Sequence, residues 1–169
     1  MIDVGIDPGV LALGYGIAWG RRLGAAGICT HIGRLDVRAA GHALQIRDVI
    51  AAAAARGGPW QPTIFLESMT AARDRATTAQ DLIDVQTVGC LTAAALGYVR
   101  LLPPSEWKGS TPKVVHHERM IEALDAGERA ILAEALRACP KRHHKEVLDA
   151  VGILLYGLGR IERTGKART

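Results

Sequence analysis

Short apolar runs broken by turn residues open the chain, and the period of the pattern lengthens after residue 40. The run Ile2-Asp3-Val4-Gly5-Ile6-Asp7 is closed by Pro8-Gly9, so residues 2–7 read as a buried strand entering a turn. Residues 13–19 and roughly 24–36 read as two more strands, joined by a polar turn at Gly20-Arg21-Arg22. Three strands in succession predict an antiparallel meander. Over residues 42–56 the spacing becomes helical, with Leu44, Ile46, Val49 and Ile50 as the apolar stripe and Gly57-Gly58-Pro59 as the stop. Residues 63–67 form a short β-rich run. Residues 76–96 carry Leu82, Val85, Val88 and Leu91 at helical spacing, and 98–102 read as a fifth strand ended by Pro103-Pro104.

The remainder is helical. Residues 105–112 read as a loop or short helix, 113–125 and 127–138 as two helices, and 143–162 as a last long helix. Arg163, Lys166 and Arg168 mark a basic tail expected to fray. The order of elements predicts an α/β fold. Its mixed five-stranded sheet has three antiparallel strands, then parallel strands, with helices on both faces. No repeat or linker interrupts it, so residues 1–163 read as one domain and 164–169 as a disordered tail.

Composition narrows the picture modestly. The 169 residues are 49% hydrophobic and 22% charged, an ordinary globular mix with room for a core. Aromatics are only 4%, which argues against base stacking as the main binding device. The net charge of +4 permits nucleic-acid binding without requiring it. Cys29, Cys90 and Cys139 are far apart and form no CxxC pair, so neither a zinc site nor a disulfide framework is indicated. The N-terminus lacks the signal-peptide pattern and no apolar run is long enough for a bilayer. A soluble, cytoplasmic protein with no membrane partner and no small-molecule cofactor is expected.

Chemistry concentrates in acids. Asp7 and Glu67 each end an apolar strand, and Glu146 and Asp149 lie one turn apart on the last helix. Alone, each has a bland reading: a turn-starting Asp, a solvated strand end, or a surface acid on a helix paired with Lys145. Together they suit a divalent-metal site, because sites in open α/β sheets form beyond the carboxyl ends of strands and Mg²⁺ takes oxygen ligands. Four gathered carboxylates would repel one another unless a cation lay between them. Two ions roughly 4 Å apart would then activate a water and stabilise a leaving 3′-oxyanion.

These residues also resemble a family. Ile6-Asp7-Pro8-Gly9 followed by Gly14-Tyr15-Gly16 looks like the first motif of the RuvC family of Holliday-junction resolvases, and Leu66-Glu67 like its second acidic motif. Val85-Gln86-Thr87-Val88-Gly89 resembles the central-helix segment, Pro104-Ser105-Glu106-Trp107-Lys108 the Pro-x-x-x-Lys stretch, and Glu146-Val147-Leu148-Asp149-Ala150 the closing acidic pair. The resemblance implies an RNase H-like fold and a homodimeric, Mg²⁺-dependent endonuclease (Mn²⁺ substituting). It would place two sites across a four-way DNA junction and nick two strands of like polarity symmetrically. Three features depart from the family. Ser68-Met69-Thr70 stands where cellular enzymes carry a wedge Phe, Glu146 replaces Asp or His, and residues 105–142 follow their own pattern. With the compact size, these look more like phage-encoded members, and the expected host compartment is a bacterial cytoplasm, infected or not.

Candidate phosphate contacts are Arg73 and Arg75, Lys108 and Lys113, and Lys145 with the preceding Arg142. His143, one turn before Glu146, is a candidate metal ligand or proton shuttle, while His116-His117 reads as a solvated helix face. Gly14 and Gly16 read either as room for a DNA backbone or as a strand bend. The long helix over residues 76–96, apolar on more than one side, is a candidate dimer face. Three alternatives stay open. The chain could be a broader flap-cutting or RNA-processing nuclease, or a non-catalytic nucleic-acid-binding module. An actin-like ATPase also has a phosphate loop beginning Asp-x-Gly, but needs about twice this length.

Overall fold

A computed structural model of the chain describes residues 1–9, 11–54, 61–68 and 78–168. The elements are β1 (Ile2–Pro8), β2 (Leu13–Trp19), β3 (Arg22–Cys29), α1 (Leu35–Ala54), β4 (Thr63–Glu67), α2 (Ala79–Leu96), β5 (Tyr98–Leu102), α3 (Pro104–Trp107), α4 (Lys113–Glu122), α5 (Ala126–Ala138) and α6 (His144–Gly157), the last preceded by a 3₁₀ turn (Lys141–His143). The five strands form one sheet in the order β3-β2-β1-β4-β5. β1, β2 and β3 pair antiparallel, whereas β4 joins β1 and β5 joins β4 in parallel. This is the mixed sheet that the element order predicts.

Strand alternation sorts the sheet into two faces. Val4, Ile6, Leu13, Tyr15, Ile17, Ile64 and Leu66 pack with Ile46 and Ile50 of α1 and Ala93 of α2. Phe65 and Ala18 face the other way, into a core with Val147, Val151 and Leu154 of α6 and Trp107, Met120 and Leu132. On that second face β1 and β2 place Gly5, Gly14 and Gly16 beneath α6. A Cβ on Gly5 would lie 2.3 Å from the Ala150 carbonyl oxygen, and one on Gly14 would lie 2.1 Å from that of Glu146. The glycines therefore let α6 lie directly on the sheet. Gly14 and Gly16 do not open the sheet to a DNA backbone, because α6 already occupies that space.

Several element boundaries differ from expectation. β3 ends at Cys29, and α1 begins at Leu35, seven residues before position 42. The buried stripe of α1 includes Ala39 and Ala43 ahead of Ile46 and Ile50, small residues that carry little hydrophobic signal. α2 begins after Thr78, whose side chain and Asp81 form a reciprocal capping box. α6 ends at Gly157, and Gly159 takes φ +68° just beyond it. The basic tail is folded back, not frayed. Ile161 bridges Ala167, the Glu162 and Arg168 amides bond back across the turn, and Gly165 makes the bend at φ +82°. Among the described residues no helix is long and apolar enough to cross a membrane.

Candidate active site

Asp7 is the penultimate residue of the central strand β1, and Glu67 closes β4 beside it. The parallel register pairs Ile6 with Leu66, so the next residues, Asp7 and Glu67, are neighbours on the α6 face. Asp149 enters from the second turn of α6. All three carboxylates are buried, with residue exposures of 8%, 5% and 1%. Burial pushes the Asp7 carboxyl well above the usual carboxylate range; the charges of Glu67 and Asp149 and a hydrogen bond with Glu67 push it further. Asp7 is therefore held toward its protonated form beside Glu67.

Two lysines answer the remaining negative charge. Lys108 Nζ lies 3.1 Å from Glu67 Oε1, the same oxygen that accepts the Trp107 indole N–H at 3.1 Å. Lys113 Nζ donates to Asp149 Oδ2. His117 Nε2 lies 2.7 Å from Asp149 Oδ1. Burial pushes the Asp149 carboxyl up, but the His117 hydrogen bond and the charges of Lys113 and Lys108 outweigh it and hold it at about 2. An ionised carboxylate only accepts, so the His117 proton sits on Nε2. Burial pulls the Lys113 ammonium down, yet Asp149, Asp7 and Glu67 together raise it. The carboxylate repulsion foreseen from the sequence is eased here by the raised Asp7 pKa and by two ammonium groups.

The other expected site residues lie as follows. Glu146 is on the first turn of α6, with Oε1 3.7 Å from the exposed Lys145 ammonium. Its Oε2 is buried without a hydrogen-bond partner. Lys145 therefore pairs locally with Glu146. His143 is buried, and its Nε2 accepts from Arg142 Nε at 3.1 Å, a bond it must release before it can shuttle a proton. Arg73, Arg75 and Met69 lie outside the described residues. Among the described residues, no three His, Cys, Asp or Glu side chains are arranged to hold one metal ion. The donor chemistry nonetheless suits a hard cation: three gathered carboxylates with an unusually basic member, and an orphaned buried oxygen on Glu146.

Two contributors escaped the sequence reading. His116-His117 is not a solvated face: His116 is 1% exposed, edge-on to Trp107, and His117 holds Asp149. Lys113 and His117 are four apart, so one face of α4 presents both to Asp149. That spacing next to a basic residue was the available signal. Trp107 carried none beyond its place before Lys108.

No family model and no curated protein matches the chain. Solved structures do. Thermus thermophilus RuvC in complex with Holliday junction substrate is 17% identical, with a TM-score of 0.51 over 94% of this chain and 93% of its own. The chain has the RuvC fold. A second Thermus thermophilus RuvC structure, also 17% identical, has a TM-score of 0.49 and covers 99% of each chain. On this RuvC fold the three buried acids sit where two parallel strands end beneath the last helix.

Proposed function

We propose that the chain is a divalent-metal-dependent, structure-selective DNA endonuclease that resolves four-way junctions by paired symmetric nicks as a homodimer. The observation that carries this reading is the convergence of Asp7, Glu67 and Asp149 from two neighbouring strand ends and α6, each facing a basic group. The likeness in fold to a RuvC solved with a Holliday junction supports the choice of substrate.

In this reading Asp7, Glu67 and Asp149 hold Mg²⁺ or Mn²⁺, with Glu146 adding its unpartnered oxygen. The bound cation supplies a nucleophile from water and stabilises the departing 3′-oxyanion. The protein's own groups prepare this. Asp7, held toward its protonated form by burial, would have to ionise to take part in holding the cation. Lys108 and Lys113, displaced from the acids, turn to the phosphate backbone, where an ammonium contributes affinity without sequence preference. Arg73 and Arg75, on the segment after Glu67, extend that contact. The homodimer sets two such centres symmetrically across the junction. The exposed Ile83 and Leu91 of α2 support that helix as the contact.

The test is cleavage of a labelled four-way junction beside a linear duplex of the same arms, in Mg²⁺, Mn²⁺ or EDTA. Paired symmetric nicks in the junction alone, lost in EDTA, are expected. Cutting of flaps or RNA hybrids as well would make it a broader nuclease. Binding without cutting would make it a non-catalytic module whose lysines permanently neutralise the acids.

A further inference from the structure

We infer that Trp107 is a positioning residue for Glu67, its indole N–H setting the rotation of that carboxylate. The inference rests on the metal-dependent reading of the site above. Trp107 Nε1 donates to Glu67 Oε1 at 3.1 Å, and both side chains are buried. An indole N–H donates only, so the bond commits Oε1 and leaves the other oxygen for Asp7 or a cation. Lys108 reaches the same oxygen, but a lysine stem is flexible and its ammonium can leave for a phosphate. The indole cannot leave.

Its seat comes from three directions. His116 of α4 meets the ring edge-on, with centroids 5.1 Å apart and planes at 86°. Gly152 of α6 lies beneath it, where a Cβ would come within 2.9 Å of indole Cζ3. Lys108 Nζ caps the ring at 4.6 Å from its centroid. The folded-back tail completes the seat from behind, because a Cβ on Gly165 would lie 2.7 Å from the His116 carbonyl oxygen. Gly152 is one turn beyond Asp149 on the same helix. The indole therefore ties the acid of β4 to the helix that carries Asp149, and the two are held in one relation before any cation binds. A purely space-filling role would need the ring but not its N–H.

The test separates ring from N–H. Trp107→Phe keeps an aromatic ring, and Trp107→3-benzothienylalanine keeps the indole shape without the N–H should the smaller ring fail to fold. Mn²⁺ affinity is read by electron paramagnetic resonance or calorimetry, and junction cleavage as kcat and KM. Either variant should bind Mn²⁺ about ten-fold or more weakly, the usual penalty for removing the hydrogen-bond partner of a metal ligand, with kcat falling in step and KM for the junction unchanged. With Trp107 retained, Glu67→Gln should move the Trp107 indole N–H resonance. Unchanged Mn²⁺ affinity in a folded benzothienyl variant would overturn the inference alone. A wild-type protein that binds no Mn²⁺ would overturn the metal-dependent reading, and the inference with it.

Discussion

His117 Nε2 sits 2.7 Å from Asp149 Oδ1 while Lys113, one turn earlier on α4, holds Oδ2, so both oxygens of the α6 acid are taken by a neighbouring helix. A cation that claims Asp149 must release Lys113, whose stem is half exposed and faces solvent on one side. The freed ammonium then reaches phosphate. Lys113→Met should reduce the slope of log affinity against log salt for junction binding by about 1 in the presence of Mg²⁺. A slope equal to wild type would mean that Lys113 stays on Asp149 in the complex.

Asp7 is kept where its charge is unwelcome. Burial, then Glu67 and Asp149, raise its folded pKa above the unfolded value. Its contribution to stability is complete below pH 3.8 and is lost as pH rises through the raised folded value. Asp7→Asn should therefore abolish metal-dependent cutting while raising Tm at neutral pH. Each stabilisation of about 1 kcal/mol would raise Tm roughly 2–4 °C in a chain of this size. Mg²⁺ should raise the Tm of the wild type and not of the variant. A variant that melts lower, or still cuts, would contradict the buried-acid account.

Stability at the far end of the molecule depends on Glu128. Its carboxylate accepts from the Leu23 amide at 2.7 Å, the Asp125 amide at 2.9 Å and Arg160 Nη2 at 2.8 Å. Burial pushes this carboxyl up, but those hydrogen bonds and the Arg160 charge hold it at about 2. The stability it supplies is present above pH 4.5 and is lost as pH falls toward 2. Glu128→Gln leaves Arg160 without its counter-charge and should cost about 3–5 kcal/mol in urea unfolding at neutral pH. Below pH 2 the two proteins should converge.

Gly14→Ala forces a Cβ to within 2.1 Å of the Glu146 carbonyl oxygen, a backbone atom that cannot swing aside. Gly16→Ala meets Val151 Cγ2 at 3.2 Å and Val151 Cα at 3.3 Å, a milder contact. The first should cost about 1–3 kcal/mol or more by overpacking and displace Asp149 with α6, so cutting falls further than stability. The second should be nearly neutral. The reverse order would mean that α6 does not depend on the bare glycine face.

The acids were legible in the chain itself. Asp7 and Glu67 each stand at or next to the end of an apolar strand, and it was their coincidence with the acids of the last helix that pointed to a site. The bounds of β4 and β5 were legible too, being short, β-branched and fenced by Pro or polar residues. Less legible were the start of α1, where alanines carry the buried stripe, and the end of α6, where Gly159 and Gly165 fold the tail back at positive φ.

Pattern and local chemistry thus determined the sheet, its mixed pairing and the strand-end carboxylates, since these depend on periodicity and turn residues within a few positions of each other. The partners of those carboxylates were decided by tertiary structure alone. Trp107 reaches Glu67 across 40 residues and His117 reaches Asp149 across 32. Neither contact leaves a local trace, because it exists only once bare glycines let α6 settle on the sheet and α3 and α4 close over its edge. Whether an acid keeps its proton is likewise a property of burial and neighbouring charge, which the folded chain alone supplies.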